Sequence, residues 1–206
     1  MSRIDSALRQ LTLANQLTLL RLAAVPAFAL ALLNGRAAWA FWIFVGASIT
    51  DRLDGIAARR LGQQTALGAY LDPAADKLLM LATYVILALP QPLRSFPDFQ
   101  LSHPMPAALT LIVVARDVVI VVVALGLFLA YGETKFAPLR IGKWATACEM
   151  GTGALYLLAN VWDGVPNVAL TIAAVATVAF GVGSAVAYLL RTSHAQRSRD
   201  EGGDQP

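Results

Sequence analysis

The sequence predicts an all-α integral membrane protein: a six-transmembrane-helix bundle with an N-terminal interfacial amphipathic helix. Of its 206 residues, 57% are hydrophobic and 14% are charged, well below the roughly 25% charged residues of an ordinary soluble domain. Six apolar stretches approach or reach the ~20 residues that a helix needs to cross a bilayer. These stretches are too long for barrel strands, so helices are the expected spanning elements.

The predicted elements follow one another with short connections. In residues 1–15, apolar side chains recur on one helical face, as in a helix lying on a membrane surface, at Ile4, Ala7, Leu8 and Leu11. The six spans are predicted at Leu17–Leu33, Ala37–Thr50, Ala69–Leu89, Ala107–Tyr131, Trp144–Val161 and Val165–Leu190. The second span has a polar extension beyond Thr50. Residues 1–191 are therefore expected to form one membrane domain, followed by a disordered polar tail over residues 192–206.

Charge and proline content predict the arrangement of the connections. Prolines crowd the stretch PQPLRSFPDFQLSHPMP, residues 90–106, which is expected to be an outer loop with a solvated His103. Basic residues concentrate in the termini and in alternate connections, while the remaining connections hold only Arg36 and Arg94. This bias places both termini and segment 51–77 in the cytoplasm, and we expect the membrane to be a bacterial inner membrane. The net charge of +3 suits anionic lipid, and no pattern indicates nucleic acid.

Four aspartates stand at the predicted cytoplasmic end of the second and third spans: Asp51, Asp54, Asp72 and Asp76. Their spacings of three and four residues put each pair on one face of its helix. Four carboxylates near lipid need positive compensation. Two divalent cations, Mg²⁺ or Mn²⁺, would supply it, because these ions prefer oxygen ligands and paired metals serve phosphoryl chemistry. Salt bridges to Arg59, Arg60 and Lys77 are the alternative.

The segment resembles a known family. The pattern D-x2-D-G-x2-A-R-x8-G-x3-D-x3-D over residues 51–76 is similar, at every fixed position, to that of the CDP-alcohol phosphotransferases, membrane enzymes of phospholipid synthesis. The segments NQLTLLR (residues 15–21) and LGAYLDPAADK (residues 67–77) are similar too. The resemblance implies a homodimer in which a hydroxyl acceptor attacks the lipid-side phosphorus of a CDP-lipid such as CDP-diacylglycerol and CMP leaves.

The same resemblance implies residue roles. Asp51, Asp54 and Asp72 would be ligands of the two metal ions, and Asp76 would be either a ligand or the catalytic base that takes the hydroxyl proton. Metal ions depress the pKa of a nearby carboxylate, so both roles of Asp76 stay open. The CDP-lipid would be bound by a further set of residues: Asn15, Gly55, Ala58, Arg59, Gly68 and Lys77.

The acceptor is less strongly indicated. Arg116 and Asp117 lie inside the fourth span, where ionisable groups are candidates for function. Neighbours in sequence point about 100° apart on a helix, so we do not expect these two to pair. Arg116 is predicted to bind an acceptor phosphate, with an ion pair to another helix as the alternative. Arg140 and Lys143, at the start of the fifth span, are either acceptor ligands or ordinary cytoplasmic flanking charges.

Glycerol 3-phosphate, which would give phosphatidylglycerophosphate, is the first choice of acceptor. The block around Lys143 resembles that of phosphatidylglycerophosphate synthases, but Glu149 stands where glutamine is expected. VARDVVIVVV, residues 114–123, is closer to cardiolipin synthases, so phosphatidylglycerol is the second choice and inositol phosphate the third. Two other classes of protein are alternatives. A cation-coupled transporter would contain an inverted repeat, which the sequence lacks. The two aspartate motifs of a prenyltransferase would lie farther apart in sequence than the two aspartate pairs do here.

Overall fold

Six helices make up the described part of the chain. The structure, a computed structural model, describes residues 13–61, 66–91, 95–131 and 140–200. The helices are α1 (Leu13–Leu33), α2 (Ala37–Leu61), α3 (Ala66–Leu87), α4 (Ala107–Tyr131), α5 (Arg140–Ala159) and α6 (Asn167–Asp200). Their number and order confirm the predicted all-α class with six helices, and the membrane bundle stays a prediction. The first 12 residues, which hold most of the predicted interfacial helix, lie outside the described residues.

The chain divides into two compact units, and the single membrane domain predicted over residues 1–191 stays a prediction. The first unit reaches Met105 and includes residues 153–165, and the second comprises residues 106–152 and the chain from Pro166 onward. The end of α5 therefore belongs to the first unit and its beginning to the second.

In the first unit, α1 packs against both α2 and α3. The core between these helices is aromatic and aliphatic: Phe28 and Phe44 have ring centroids 6.3 Å apart, and Tyr84 is also fully buried. Gly153 of α5 lies against Thr83, Tyr84 and Phe44, at distances where an added Cβ would make close contact. These contacts fix the three helices that carry the family motifs.

The turn between α1 and α2 depends on Gly35. Its φ of 70° lies in the left-handed region, which favours glycine. The backbone N–H of Arg36 donates to the carbonyl of Ala31 at 2.9 Å, and that of Gly35 donates to Leu32 at 3.1 Å, which together form a Schellman motif. A Cβ at Gly35 would lie 2.5 Å from the carbonyl oxygen of Asp98. The turn is therefore packed directly against the loop that follows α3.

The loop between α3 and α4 contains no regular helix among its described residues, as its prolines predict. Its backbone is nevertheless held at several points. Phe99 is fully buried, the N–H of Met105 donates to Leu87 at 2.8 Å, and the N–H of Leu101 donates to Gln91 Oε1 at 2.7 Å.

His103 of this loop corrects the expectation of a solvated side chain. It is half-buried, and its Nδ1 lies 3.1 Å from the carbonyl oxygen of Ala159. Its backbone N–H donates to Asn160 Oδ1 at 3.0 Å, and Asn160 Nδ2 donates back to its carbonyl at 2.9 Å. The proline content predicts the absence of a helix but not this docking onto the end of α5.

In the second unit, α4 packs against α6. Hydroxyl groups join α5 to α6: Thr152 Oγ1 lies 2.8 Å from Thr177 Oγ1 and 3.1 Å from the carbonyl oxygen of Ala173. Both threonines are buried. Side-chain hydrogen bonds of this kind are common between apolar helices.

The end of α6 differs from the prediction. The helix continues past Arg191 to Asp200, whereas a disordered tail is expected from residue 192. Residues 192–200 are polar but contain no proline or glycine, and the first glycine that favours termination is Gly202. Residues 201–206 lie outside the described residues.

Only part of the predicted membrane topology is visible in the described helices. Asn167–Tyr188, within α6, is long and apolar enough to cross a membrane by length and composition. Thr18–Leu33 and Ala37–Thr50 are apolar but shorter. The prediction of six helices is thus confirmed, while the crossing of a bilayer by all six stays a prediction.

Candidate active site

The four aspartates lie on two helices of the first unit. Helix α2 continues without a break through Asp51 and Asp54 to Leu61, which confirms the polar extension of the second predicted span. Asp72 and Asp76 lie in α3. At 1.5 Å of rise per residue, the members of the first pair are about 4.5 Å apart along the axis and those of the second about 6 Å. Each pair therefore occupies one face of a continuous helix.

Asp76 is the one motif carboxylate whose side chain lies in the described part of the chain. It is half-buried, and the adjacent Lys77 is exposed. The side chains of the other predicted metal ligands and CDP-lipid residues lie outside the described residues: Asn15, Asp51, Asp54, Gly55, Ala58, Arg59, Gly68 and Asp72. Among the described side chains, no three His, Cys, Asp or Glu residues cluster as a metal site would require. The predicted metal centre thus stays a prediction.

Arg21 is a further buried charge in this region, and it is absent from the site residues predicted from the sequence. Its side chain is 2% exposed in α1, the helix that packs against both aspartate-bearing helices. Thr18, one turn earlier, is 1% exposed, so both polar side chains lie on the buried face of α1. A buried arginine needs anionic compensation. The sequence signal for a buried Arg21 is its position as a lone basic residue inside the first apolar stretch.

The second unit contains a buried polar cluster around Arg116. Its Nη1 donates to Glu149 Oε1 of α5 at 3.0 Å and to Asp117 Oδ1 at 2.8 Å. Its Nε and Nη2 donate to Ser184 Oγ of α6 at 3.3 and 3.1 Å, and that hydroxyl donates to the carbonyl of Gly181 at 2.8 Å. Arg116 is 8% exposed and Glu149 is 2% exposed. One guanidinium thus connects three helices.

These contacts correct one expectation. Arg116 and Asp117 do pair, although their Cβ atoms point in different directions, because the long arginine side chain folds back to its neighbour. The ion pair to another helix, left open as the alternative for Arg116, is present with Glu149. Binding of an acceptor phosphate by Arg116 stays a prediction. Of the other two acceptor candidates, Lys143 is exposed in α5, and the side chain of Arg140 lies outside the described residues.

The pattern of aspartates on two adjoining helices is that of one family of transferases. Residues 11–182 match the CDP-alcohol phosphatidyltransferase family over most of the chain. The chain belongs to this family. The match includes both aspartate pairs and also Arg21, Arg116 and Glu149.

Several curated relatives carry names from phospholipid synthesis. A probable phosphatidylglycerophosphate synthase of Mycobacterium tuberculosis is 49% identical over 86 residues, which cover 38% of this chain and 40% of the relative. A CMP-forming cardiolipin synthase of Streptomyces coelicolor is 34% identical over 158 residues, which cover 74% of this chain and 67% of that relative. CDP-diacylglycerol--glycerol-3-phosphate 3-phosphatidyltransferase 1 of Arabidopsis thaliana is 35% identical over 159 residues, which cover 73% of this chain and 51% of that relative. The first of these matches thus spans less than half of its relative.

Proposed function

We propose that the protein transfers a phosphatidyl group from CDP-diacylglycerol to the hydroxyl of an alcohol acceptor and releases CMP. Family membership over residues 11–182 is the observation that carries this proposal. The continuous helices α2 and α3 support it, because they keep both aspartate pairs of the motif in register. Family membership also favours this reaction over a cation-coupled transporter or a prenyltransferase.

The donor set fits a pair of divalent cations. Two carboxylate pairs, each on one helical face, offer the hard oxygen ligands that Mg²⁺ and Mn²⁺ prefer. Asp51, Asp54 and Asp72 would hold the two ions, and Asp76 would either complete this ligand set or act as the base. When bound, the ions supply positive charge to the pyrophosphate and the developing phosphoryl charge. Arg21 adds a buried positive charge on α1, the helix that contacts both aspartate-bearing helices.

The protein's own groups would bind the donor, orient the acceptor and accept a proton. By the family resemblance, Gly55, Ala58, Arg59 and Gly68 would line the cytidine and phosphate site. The acceptor oxygen forms a bond to the phosphorus of the phosphatidyl group while the bond from that phosphorus to the CMP oxygen breaks. In our proposal, the half-buried carboxylate of Asp76 accepts the hydroxyl proton.

Glycerol 3-phosphate is the proposed acceptor, with phosphatidylglycerol as the second candidate. Names among the relatives support both: two are named for phosphatidylglycerophosphate synthesis and one for cardiolipin synthesis. The exposed Lys143 at the start of α5 supports an anionic acceptor. Arg116 gives weaker support, because Glu149, Asp117 and Ser184 already accept hydrogen bonds from most of its N–H groups.

The exposed surface supports a membrane location. Large apolar side chains that are about half exposed or more recur along one side of α6, at Val168, Ile172, Val175, Val182 and Val186. Trp39, Trp42, Trp144 and Trp162 are also largely exposed near helix ends, as aromatic residues at a membrane–water interface are. Water is a poor solvent for such a surface. We therefore propose an integral protein of the bacterial inner membrane, a homodimer with its active site and termini on the cytoplasmic side.

The test is an acceptor panel. Purified full-length protein is incubated with CDP-diacylglycerol and Mg²⁺ or Mn²⁺, and CMP is measured with glycerol 3-phosphate, phosphatidylglycerol or inositol phosphate as the acceptor. We expect CMP release that requires the metal and glycerol 3-phosphate. Release that requires phosphatidylglycerol and ignores glycerol 3-phosphate would assign the second acceptor. Absence of CMP with every acceptor would contradict the proposed reaction.

A further inference from the structure

A cavity of about 550 Å³ lies in the first unit, between α1, the start of α2 and the loop after α3. It is at the end of α2 opposite the aspartates: Trp39, which lines it, is separated from Asp51 by 12 helical residues, or about 18 Å of rise. It is therefore distinct from the proposed active site. Its volume lies within the range of sites that bind small molecules.

The lining of this cavity changes from charged to apolar along both helices. Asn34 and Arg36 line it at the turn, together with Asp98 of the loop. Trp39 follows one turn into α2, and the aliphatic residues Leu30 and Ile43 lie farther from the turn on α1 and α2. From Arg36 to Ile43 the rise is about 10 Å. A phospholipid has the same order of headgroup, interfacial region and acyl chain.

The charged end carries one group of each sign. Arg36 and Asp98 are both exposed on the cavity, and no ion pair joins them within the described part of the chain. Opposite charges that share a cavity without pairing are complementary to a ligand that carries both. A phosphate would lie against Arg36 and an ammonium group against Asp98, whereas an anionic lipid would be repelled by Asp98.

The position of Asp98 is fixed by its surroundings. Its carbonyl oxygen packs against Gly35, its neighbour Phe99 is fully buried, and the N–H of Phe99 donates to Phe96 at 3.1 Å. On the opposite wall, the Schellman turn holds the backbone of Arg36, and Asn34 Nδ2 donates to the carbonyl of Leu30 at 2.7 Å. The cavity is thus preformed, which lowers the ordering cost of binding.

We propose that this cavity binds a zwitterionic phospholipid with a primary ammonium headgroup, phosphatidylethanolamine. The inference rests on the proposed membrane location but not on the proposed reaction. The acyl chain lies on Leu30 and Ile43, the phosphate faces Arg36, and the ammonium donates to the Asp98 carboxylate.

Native mass spectrometry of the full-length protein in detergent tests this binding. Phosphatidylethanolamine, phosphatidylcholine and phosphatidylglycerol with identical acyl chains are titrated separately. We expect phosphatidylethanolamine to bind about three-fold more tightly than either other lipid. Phosphatidylglycerol has no headgroup cation to pair with Asp98, and the quaternary ammonium of phosphatidylcholine is cationic but has no N–H to donate to the carboxylate. Asp98→Asn should remove this preference. Arg36→Gln should weaken the binding of all three lipids by a similar factor, because all three carry the phosphate.

Asp163→Asn is the matched control, because Asp163 is also an exposed carboxylate of the first unit but does not line the cavity. It should keep the three-fold preference. Ala31→Phe fills the apolar part of the cavity and should weaken all three lipids even if the Asp98 variant does not fold. Equal affinities for the three lipids in the unaltered protein, a preference that survives Asp98→Asn, or unchanged binding of all three lipids by Ala31→Phe would overturn the inference. CMP release by the same preparations tests the proposed reaction separately, and these cavity variants should leave it unchanged.

Discussion

The buried ion pair of Arg116 and Glu149 allows us to predict which substitution at these two positions lowers stability more. Removing one partner of a buried ion pair typically costs about 3–5 kcal/mol, because the remaining charge stays in a poorly solvated place. After Glu149→Ala, Arg116 still contacts Asp117 at 2.8 Å, so we expect about 3 kcal/mol. Arg116→Ala removes the contacts of the guanidinium with Glu149, Asp117 and Ser184 together, so we expect about 5 kcal/mol.

Glu149→Gln separates charge from packing. The amide oxygen can still accept from Arg116 Nη1, so a charge-assisted hydrogen bond becomes a neutral one, at a cost of about 1 kcal/mol. For a chain of this length, each kcal/mol shifts the melting temperature by about 2–4 °C. The expected decreases are therefore about 2–4 °C for Glu149→Gln, 6–12 °C for Glu149→Ala and more than that for Arg116→Ala.

Circular dichroism at 222 nm during heating in detergent measures these shifts. The double variant Arg116→Met with Glu149→Leu should recover much of the loss, because no unbalanced Arg116 or Glu149 charge remains. The reasoning is refuted if Glu149→Ala melts within 1 °C of the unaltered protein, or if the double variant is less stable than both single variants. If Arg116 serves only to bind the acceptor, Arg116→Ala would instead raise KM for the acceptor without lowering the melting temperature.

Three further predictions concern other contacts. Gly35→Ala should lower stability by about 2 kcal/mol, because alanine is strained at a φ of 70° and its Cβ would approach the Asp98 carbonyl. Thermal melting checks this. Gly46→Ala is the control, since nothing lies near an added Cβ at that position. Thr152→Val should cost about 1 kcal/mol by removing the hydroxyl contact with Thr177, and Thr152→Ser should retain most of the stability. Lys143→Gln should raise KM for glycerol 3-phosphate about ten-fold with little change in kcat, through loss of a charged hydrogen bond; an unchanged KM would leave Lys143 as a flanking charge.

Hydrophobic patterning was sufficient to predict the order and number of the helices, since each apolar stretch has a helical counterpart in the structure. Polar helix extensions were harder to place. The motif predicts that α2 continues beyond Thr50, as the structure shows. The polarity of residues 192–200 does not predict the end of α6, because this segment contains no helix breaker and stays helical to Asp200. Composition shows whether a segment can be buried, and only local backbone preference shows where a helix ends.

The candidate site was predicted by spacing rather than by composition. The aspartate register is a local property, so α2 and α3 preserve it as expected. The partners of Arg116 were not predictable, because contacts with Glu149 and Ser184 depend on how α4, α5 and α6 pack. The burial of Arg21 is not predictable from the sequence for a related reason, since it follows from the contacts of α1 with two neighbouring helices.

CMP release by matched aspartate variants tests the central claim most directly. Unaltered protein, Asp54→Asn and Asp163→Asn are compared at equal folded concentration with CDP-diacylglycerol, glycerol 3-phosphate and saturating Mn²⁺. We expect the unaltered protein and Asp163→Asn to release one CMP for each phosphatidyl product formed, and Asp54→Asn to release none while keeping its helical content and melting temperature. Turnover by Asp54→Asn close to that of the unaltered protein would contradict the assignment of the active site.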